Sequence, residues 1–354
     1  MNKKIIPIFV PHQGCPHDCI FCNQTRITGL STDMTGQKAR IIVEEALKTI
    51  DDVMVEIAFF GGSFTAIDPV FQEDLLSLAK EYKDRGLVRD IRLSTRPDCI
   101  DAEKLDRLKK YGVTIIELGV QSMDEEVLEK SIRGHKKDVV YESSKLIKDY
   151  GFTLGLQMML GLPGDSKEKC IYTAKEFIKI GPSFVRIYPT LVIRETGLEI
   201  EYKAGTYKPF SIKEAIDITK KLMVLYWINN VGVIRVGLQA TEDIQNGVDV
   251  IAGPNHPAFR ELAKAEMIKD YLISIIPEEF RTICIETANI NISFVVGNKR
   301  SNRIFINEKY KARFKVLVNN SLKDSFKVII DDKEIKHIKF EQMYFELAKI
   351  YDLL

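Results

Sequence analysis

Between Ile5 and Tyr188 the chain alternates strand-like runs with helical stretches, and this alternation most constrains its fold. Ile5 to Val10 is a short apolar run closed by Pro11, and Val53 to Phe60 is β-branched and aromatic and stops at Gly61-Gly62. Further runs follow at Ile91 to Leu93, Thr114 to Leu118, Phe152 to Leu160 and Phe184 to Tyr188. Apolar residues recur at helical spacing between them, from Lys38 to Ile50, Pro69 to Arg85, Asp101 to Tyr111 and Lys167 to Ile180. Another helical region, Asp124 to Tyr150, is interrupted near Gly134. Strands separated by helices predict an α/β fold with a parallel sheet and crossover helices. A doubly wound sheet and a partial barrel both satisfy the pattern, and in both the site lies at the carboxyl ends of the strands.

The second half changes character. Thr190 to Pro209 reads as irregular, Ile212 to Ile228 as a strong helix, Val233 to Leu238 as a strand and Phe259 to Leu272 as a helix. From Asn289 the pattern turns β-rich, and Phe340 to Leu354 closes as an amphipathic helix. A net charge of +1 over 354 residues excludes electrostatic commitment of the whole chain to nucleic acid, so any basic patch is local. No apolar run reaches the roughly 18 residues of a membrane-spanning helix, so no membrane partner is expected. The segment Met1 to Pro7 reads as a first strand rather than a signal peptide. Cys99, Cys170 and Cys284 are scattered, which suggests a reducing, cytoplasmic setting and burial as small apolar residues.

The other three cysteines are clustered. Cys15, Cys19 and Cys22 follow C-x-x-x-C-x-x-C, with Phe21 just before the last. Three thiolates in one loop can hold iron or zinc, and three rather than four leave a coordination position open for chemistry. A structural zinc site with His12 or His17 as fourth ligand is the alternative.

Polar motifs fall at successive strand ends. Gly61-Gly62-Ser63-Phe64-Thr65 follows the second strand, and Ser94-Thr95-Arg96-Pro97-Asp98 the third. Glu117-Leu118-Gly119-Val120-Gln121-Ser122 ends the fourth, Arg133-Gly134-His135 comes later, and Gln157 to Gly164 ends the fifth. Singly each is ordinary turn chemistry. Together they are how a parallel sheet assembles one site from several loops.

The triplet and these motifs resemble the radical SAM superfamily. The resemblance implies a partial (β/α)6 TIM-like barrel with a C-terminal α+β extension. It also implies a [4Fe–4S] cluster on Cys15, Cys19 and Cys22, S-adenosyl-L-methionine as cofactor, and a one-electron donor such as flavodoxin or ferredoxin. Carried over by position, Gly61, Gly62 and Ser63 would bind the amino group of S-adenosylmethionine. Ser94, Gln121, Arg133 and Gln157 would contact its ribose and carboxylate, and Phe21 and Leu162 would line its adenine. Ser63 replaces the glutamate of many members, and Ser94 and Gln157 stand where oxygen-independent coproporphyrinogen oxidases have acids. Arg186 to Leu198, extended by Gly205-Thr206-Tyr207-Lys208, resembles the Elongator catalytic subunit over about residues 5 to 275. The cysteine spacing is shorter than in that family, and no acetyl-CoA phosphate loop is evident. The match is therefore to the shorter bacterial Elongator-like group lacking the acetyltransferase domain. Expected boundaries are 1–195 for the barrel, 196–280 for the Elongator-like C-terminal domain and 281–354 for a small basic β-rich region ending in a helix.

Ser293 to Ile330 holds Lys299, Arg300, Arg303, Lys309, Lys311, Arg313, Lys315, Lys323 and Lys327, interleaved with Phe305, Tyr310 and Phe314. Basic residues neutralise phosphates and rings stack bases, so RNA (tRNA or rRNA) is the expected substrate. The alternative for this segment is solvated lysines over core aromatics. Two competing functions are a coproporphyrinogen oxidase-like enzyme acting on a small molecule and a non-catalytic metal-stabilised RNA-binding protein. Tyr188 lies near the expected barrel mouth, where it could relay a proton or radical or serve packing.

Overall fold

A computed structural model describes residues 3–10, 15–23, 26, 34–50, 54–238 and 247–354. The chain divides into two compact units, Met1–Phe210 with Leu238–Asn255, and Ser211–Gly237 with His256–Leu354. In the first unit the six expected strands are β1 (Lys3–Val10), β2 (Met54–Gly61), β3 (Asp90–Thr95), β4 (Ile115–Gln121), β5 (Thr153–Leu160) and β6 (Phe184–Pro189). They pair in chain order, every neighbour parallel, to form the partial TIM-like barrel. Register aligns Ile6 with Ile57, Ile57 with Ile91, Leu93 with Ile116, and Leu156 with Val185, all of them buried.

The helices start where polar caps occur. Asp68 accepts from the Val70 and Phe71 amides ahead of Pro69–Asp84, Asp101 from Lys104 ahead of Ala102–Lys110, and Ser166 from Lys169 ahead of Lys167–Ile180. The interruption expected near Gly134 separates Glu125–Lys130 from Lys137–Asp149. Gly134, at φ +74°, sits where a Cβ would lie 2.3 Å from the His17 ring, so its hydrogen lets the loop approach the cysteine segment.

The segment 190–209 is more ordered than its composition suggests. Val192–Ile193 pairs antiparallel with Val250–Ala252, and Gly197–Ala204 is a helix capped by Thr196 and ended by Gly205 in the left-handed region.

The second strand face holds charge. Glu56, Arg92, Glu117 and Arg186, on β2, β3, β4 and β6, are each at most 6% exposed. Arg92 bonds Glu56 at 2.6 Å and Glu117 at 2.7 Å, and Arg186 bonds Glu117 at 2.9 Å. Two carboxylates against two guanidiniums satisfy buried charge that would otherwise be prohibitive. Arg92 also lies 5.0 Å above the Phe184 ring, which fits over Gly155 because that residue has no Cβ.

In the second unit, a Ser211–Glu214 capping box opens the helix Ile212–Ile228. A four-stranded mixed sheet follows, ordered Arg313–Val318, Thr282–Thr287, Ser325–Ile330, Lys333–Lys339, the first pair parallel and the others antiparallel. The β-rich pattern expected from Asn289 begins with a helical stretch instead, at Ile292–Val296 and Ser301–Tyr310. Side-chain amides hold this stretch. Asn302 Nδ2 donates to the carbonyls of Ala265, Phe294 and Val295, and Asn291 Nδ2 to Thr287 Oγ1 and the Lys323 carbonyl. Phe314 is 1% exposed and belongs to the core, whereas Phe305 and Tyr310 lie beneath lysine side chains, Lys309 being 5.5 and 5.1 Å from their ring centres.

Candidate cluster and cofactor site

The cysteine segment lies at the carboxyl ends of the barrel strands. A turn from the Cys22 amide to the Cys19 carbonyl, 2.9 Å, folds it, and the Ile20 amide and carbonyl tie it to the Ser131 carbonyl and the Leu198 amide at 3.2 and 2.8 Å. Cys19 is buried, and Cys15 and Cys22 are partly exposed. Arg133 Nη1 donates to Cys19 Sγ at 3.0 Å, and Arg96 Nη1 approaches the same sulfur at 3.5 Å. Arg96 is held by a bidentate pair with Asp98, both bonds 2.8 Å, and bonds the Arg133 carbonyl. Arg133 Nη2 bonds the Gly119 carbonyl. Arg96, which from sequence belongs to a polar turn, is thus a second guanidinium at the cysteine loop. The spacing Arg-Pro-Asp was its only signal.

Burial pushes the Cys15 thiol up, opposed by a hydrogen bond from the Ser63 backbone and by the Arg96 charge. Ser63 itself is buried. Its Oγ pairs with Thr95 Oγ1 at 2.8 Å and accepts from the Arg96 amide at 3.2 Å. Gly61 at φ +117° pairs with Val10 at the end of β2, so close to β1 that a Cβ would meet the Val10 carbonyl at 2.3 Å, and Gly62 follows in a bend.

Gln121 has φ +77°, rare for a residue with a Cβ, and its Oε1 is buried with no hydrogen-bond partner. Arg133 Nε and His135 Nε2 are likewise buried and unpartnered. Burial and the Arg133 charge push His135 down to about 4, so its imidazole is neutral near pH 7. Unsatisfied buried polar atoms are uncommon, and three near one loop mark a place for a polar ligand.

The other expected residues have partners of their own. Gln157 Nε2 donates to Ser94 Oγ and Glu117 Oε2, both 3.2 Å, so these two belong to the charged barrel interior. Phe21 packs with Ile20 against Val192, Leu198 and Tyr207. Leu162 is buried and lines a cavity of about 370 Å³ with Asp165 and Tyr207, whose hydroxyl donates to the Gly161 carbonyl at 2.5 Å.

Among the described residues no set of three or more His, Cys, Asp or Glu side chains is spaced to hold a metal ion, so the thiols are not drawn together as a closed coordination shell. His17 Nε2 lies 3.8 Å from Asp98, and His12 is outside the described residues. The donor chemistry nevertheless fits an iron–sulfur cluster: three soft thiols on one loop, with two guanidiniums at the buried one.

The model of the Radical SAM superfamily matches residues 9–177, and that of the Radical_SAM C-terminal domain matches 182–269. Elongator complex protein 3 of Homo sapiens is 34% identical over 235 residues, 60% of this chain and 42% of that protein. The tRNA uridine(34) acetyltransferase of Methanocaldococcus jannaschii is 32% identical over 258 residues, 60% of this chain and 47% of that one. The solved structure of the archaeal Methanocaldococcus infernus Elp3 with an N-terminal deletion shares the fold, with TM-score 0.62, 20% identity, and coverage of 94% of this chain and 76% of that one. The chain belongs to the radical SAM superfamily. Within that superfamily it is similar to Elongator complex protein 3, and it spans about two-fifths of the length of the human relative.

Among the described residues no helix is long and apolar enough to cross a membrane.

Proposed function

We propose that this chain uses a [4Fe–4S] cluster and S-adenosylmethionine to modify RNA, with tRNA the favoured substrate. The observation that carries the reading is the meeting of the Cys19 sulfur with Arg96 and Arg133 beside the unpartnered Gln121 Oε1. Cys15, Cys19 and Cys22 would hold the cluster. When bound, and with an external one-electron donor, the cluster would supply the reductive cleavage of S-adenosylmethionine and the hydrogen-abstraction chemistry that follows from it. Arg133 would orient the cofactor's carboxylate with Gln121, because a planar guanidinium pairs bidentately with a carboxylate. Gly61, Gly62 and Ser63 would receive its amino group, Ser94 and Gln157 would approach its ribose, and Phe21 and Leu162 would border its adenine. Burial of Arg96 and Arg133 keeps water from the sulfur they face.

Two observations support RNA. One relative is named as acting on tRNA uridine. In the second unit Lys299, Arg300, Arg303, Lys311, Arg313 and Lys315 are exposed, and among the described residues none is ion-paired. Free basic side chains are what phosphate neutralisation requires. The test is anaerobic reconstitution with iron, sulfide and reductant, followed by chromatography for 5′-deoxyadenosine. Release that vanishes in Cys19→Ala is expected; none from the parent chain would overturn the radical reading. Mass spectrometry of cellular RNA nucleosides with and without the gene tests the substrate, and identical profiles would remove RNA.

A further inference from the structure

The second unit contains a cavity of about 990 Å³ that the cluster site does not use. It lies among the helix Phe259–Ile275, the turn at 288–291 and the loop at 320–324. Its walls are stitched together. The Ala288 amide donates to the Leu322 carbonyl at 3.3 Å, and Asn291 Nδ2 donates to the Lys323 carbonyl at 2.9 Å.

Lys264 enters this cavity with its Nζ 4.2 Å from the centre of the Phe294 ring. It is half-buried, and among the described residues no carboxylate pairs with it. Burial holds its ammonium below the usual lysine range. A lysine desolvated without an anion is poorly compensated, and an arriving anion would supply what is missing. Lys323 adds a second positive charge at the wall, against one carboxylate, Asp324. The balance favours a singly or doubly negative ligand.

The remaining lining suits a flat, polar-edged group. Phe294, with Lys264 over one side of its ring, and Tyr344, packed on Trp227 at 4.8 Å, are aromatic residues of the lining. At the mouth, Asn320 Oδ1 accepts from the Asn289 amide at 3.1 Å, which leaves Asn320 Nδ2 and the Asn289 carboxamide for a ligand's edge. Ile290 is 74% exposed on the same wall, an apolar surface that a base or ribose would cover. Drug-sized ligands occupy cavities of roughly 300–1,000 Å³, so base, ribose and phosphate fit together.

We propose that this cavity binds a nucleoside phosphate, with the base against Phe294 and the phosphate on Lys264 and Lys323. The phosphate can come from an RNA strand or from a free mononucleotide. The RNA source rests on the proposed function; the cavity itself does not.

The test uses the full chain and two probes, a short fluorescein-labelled single-stranded RNA followed by anisotropy, and AMP followed by calorimetry. Phe294→Leu and Lys264→Gln are each expected to weaken the bound probe about tenfold, the usual order for loss of one stacking platform. For RNA, Lys264→Gln should also flatten the logarithmic salt dependence by about 0.7, whereas Phe294→Leu should leave that slope unchanged. Loss confined to RNA assigns the cavity to the strand, and loss confined to AMP assigns it to a free nucleotide. Parent-like binding of both probes by both variants, with unchanged circular dichroism, would overturn the proposal. So would failure of the parent chain to bind either probe. RNA bound equally by parent and variants, with AMP binding absent or equally unchanged, would overturn the cavity while sparing the RNA reading. AMP binding without RNA binding would do the reverse. Neither result bears on 5′-deoxyadenosine release.

Discussion

Arg133 Nη1 lies 3.0 Å from the Cys19 sulfur across 114 positions of sequence, and its other terminal nitrogen bonds the Gly119 carbonyl. One guanidinium therefore links the cysteine segment to the end of β4. A lysine keeps the charge but not the planar fork. Arg133→Lys is expected to lower 5′-deoxyadenosine formation at least about tenfold while the reconstituted iron content stays near the parent value. Parent-like formation in that variant would show that the fork is dispensable.

Gly134 carries the next prediction. A Cβ there would strike the His17 ring at 2.3 Å, and φ +74° adds backbone strain of about 1 kcal/mol. Gly134→Ala should displace the cysteine segment and reduce iron loading, with thermal unfolding little changed. Removing the obstructing ring in His17→Ala/Gly134→Ala should restore part of the loading. If the double variant loads no better than the single one, the ring contact is not the cause.

The strand order and cysteine loop were legible in the sequence because each depends on local pattern. β-branched runs alternating with capped helices leave few topologies besides a parallel sheet, and three cysteines within eight positions share one loop. The interior charges were not legible. Glu56, Arg92, Glu117 and Arg186 each interrupt an apolar strand once, and a lone charge in such a run resembles a strand edge. Their pairing follows from register between strands, which places Ser94 opposite Glu117 and Gln157 opposite Arg186. That register also explains why Gln157 bonds Ser94 and Glu117. In the second unit, periodicity could not reveal that Asn291 and Asn302 satisfy loop carbonyls, so helical residues after Asn289 read as β-rich.

Glu117 is the hinge of the interior network, bonded to Arg92, Arg186 and Gln157. Removing it leaves two buried guanidiniums short of a partner, and breaking a buried pair in this way costs about 3–5 kcal/mol. Glu117→Leu should lower the free energy of denaturant unfolding by that order. Glu117→Leu/Arg186→Met should be less destabilised than the sum of its single changes, because one exposed mismatch is removed. Strict additivity of the two would mean that the pair is not coupled.

Asp165 gives a pH dependence whose sign is set by burial. Its carboxylate accepts from the Gly161 and Ser166 amides, both at 2.8 Å, and from the Cys170 thiol at 3.1 Å. Desolvation outweighs these bonds and pushes the carboxyl up to about 6. A carboxyl raised in the fold binds its proton more tightly there than in the unfolded chain. Its contribution to stability is therefore greatest below the ordinary carboxylate value and falls as pH rises from about 4 to about 6, by up to about 3 kcal/mol. Asp165→Asn does not titrate. Its stability relative to the parent should thus improve between pH 4 and pH 6.5 and level off above, while its absolute stability stays limited by the loss of one acceptor. Calorimetric unfolding of both proteins across that range checks the difference directly. A gap that is constant with pH, or that closes as pH falls, would mean that the amide bonds and not burial control this carboxyl.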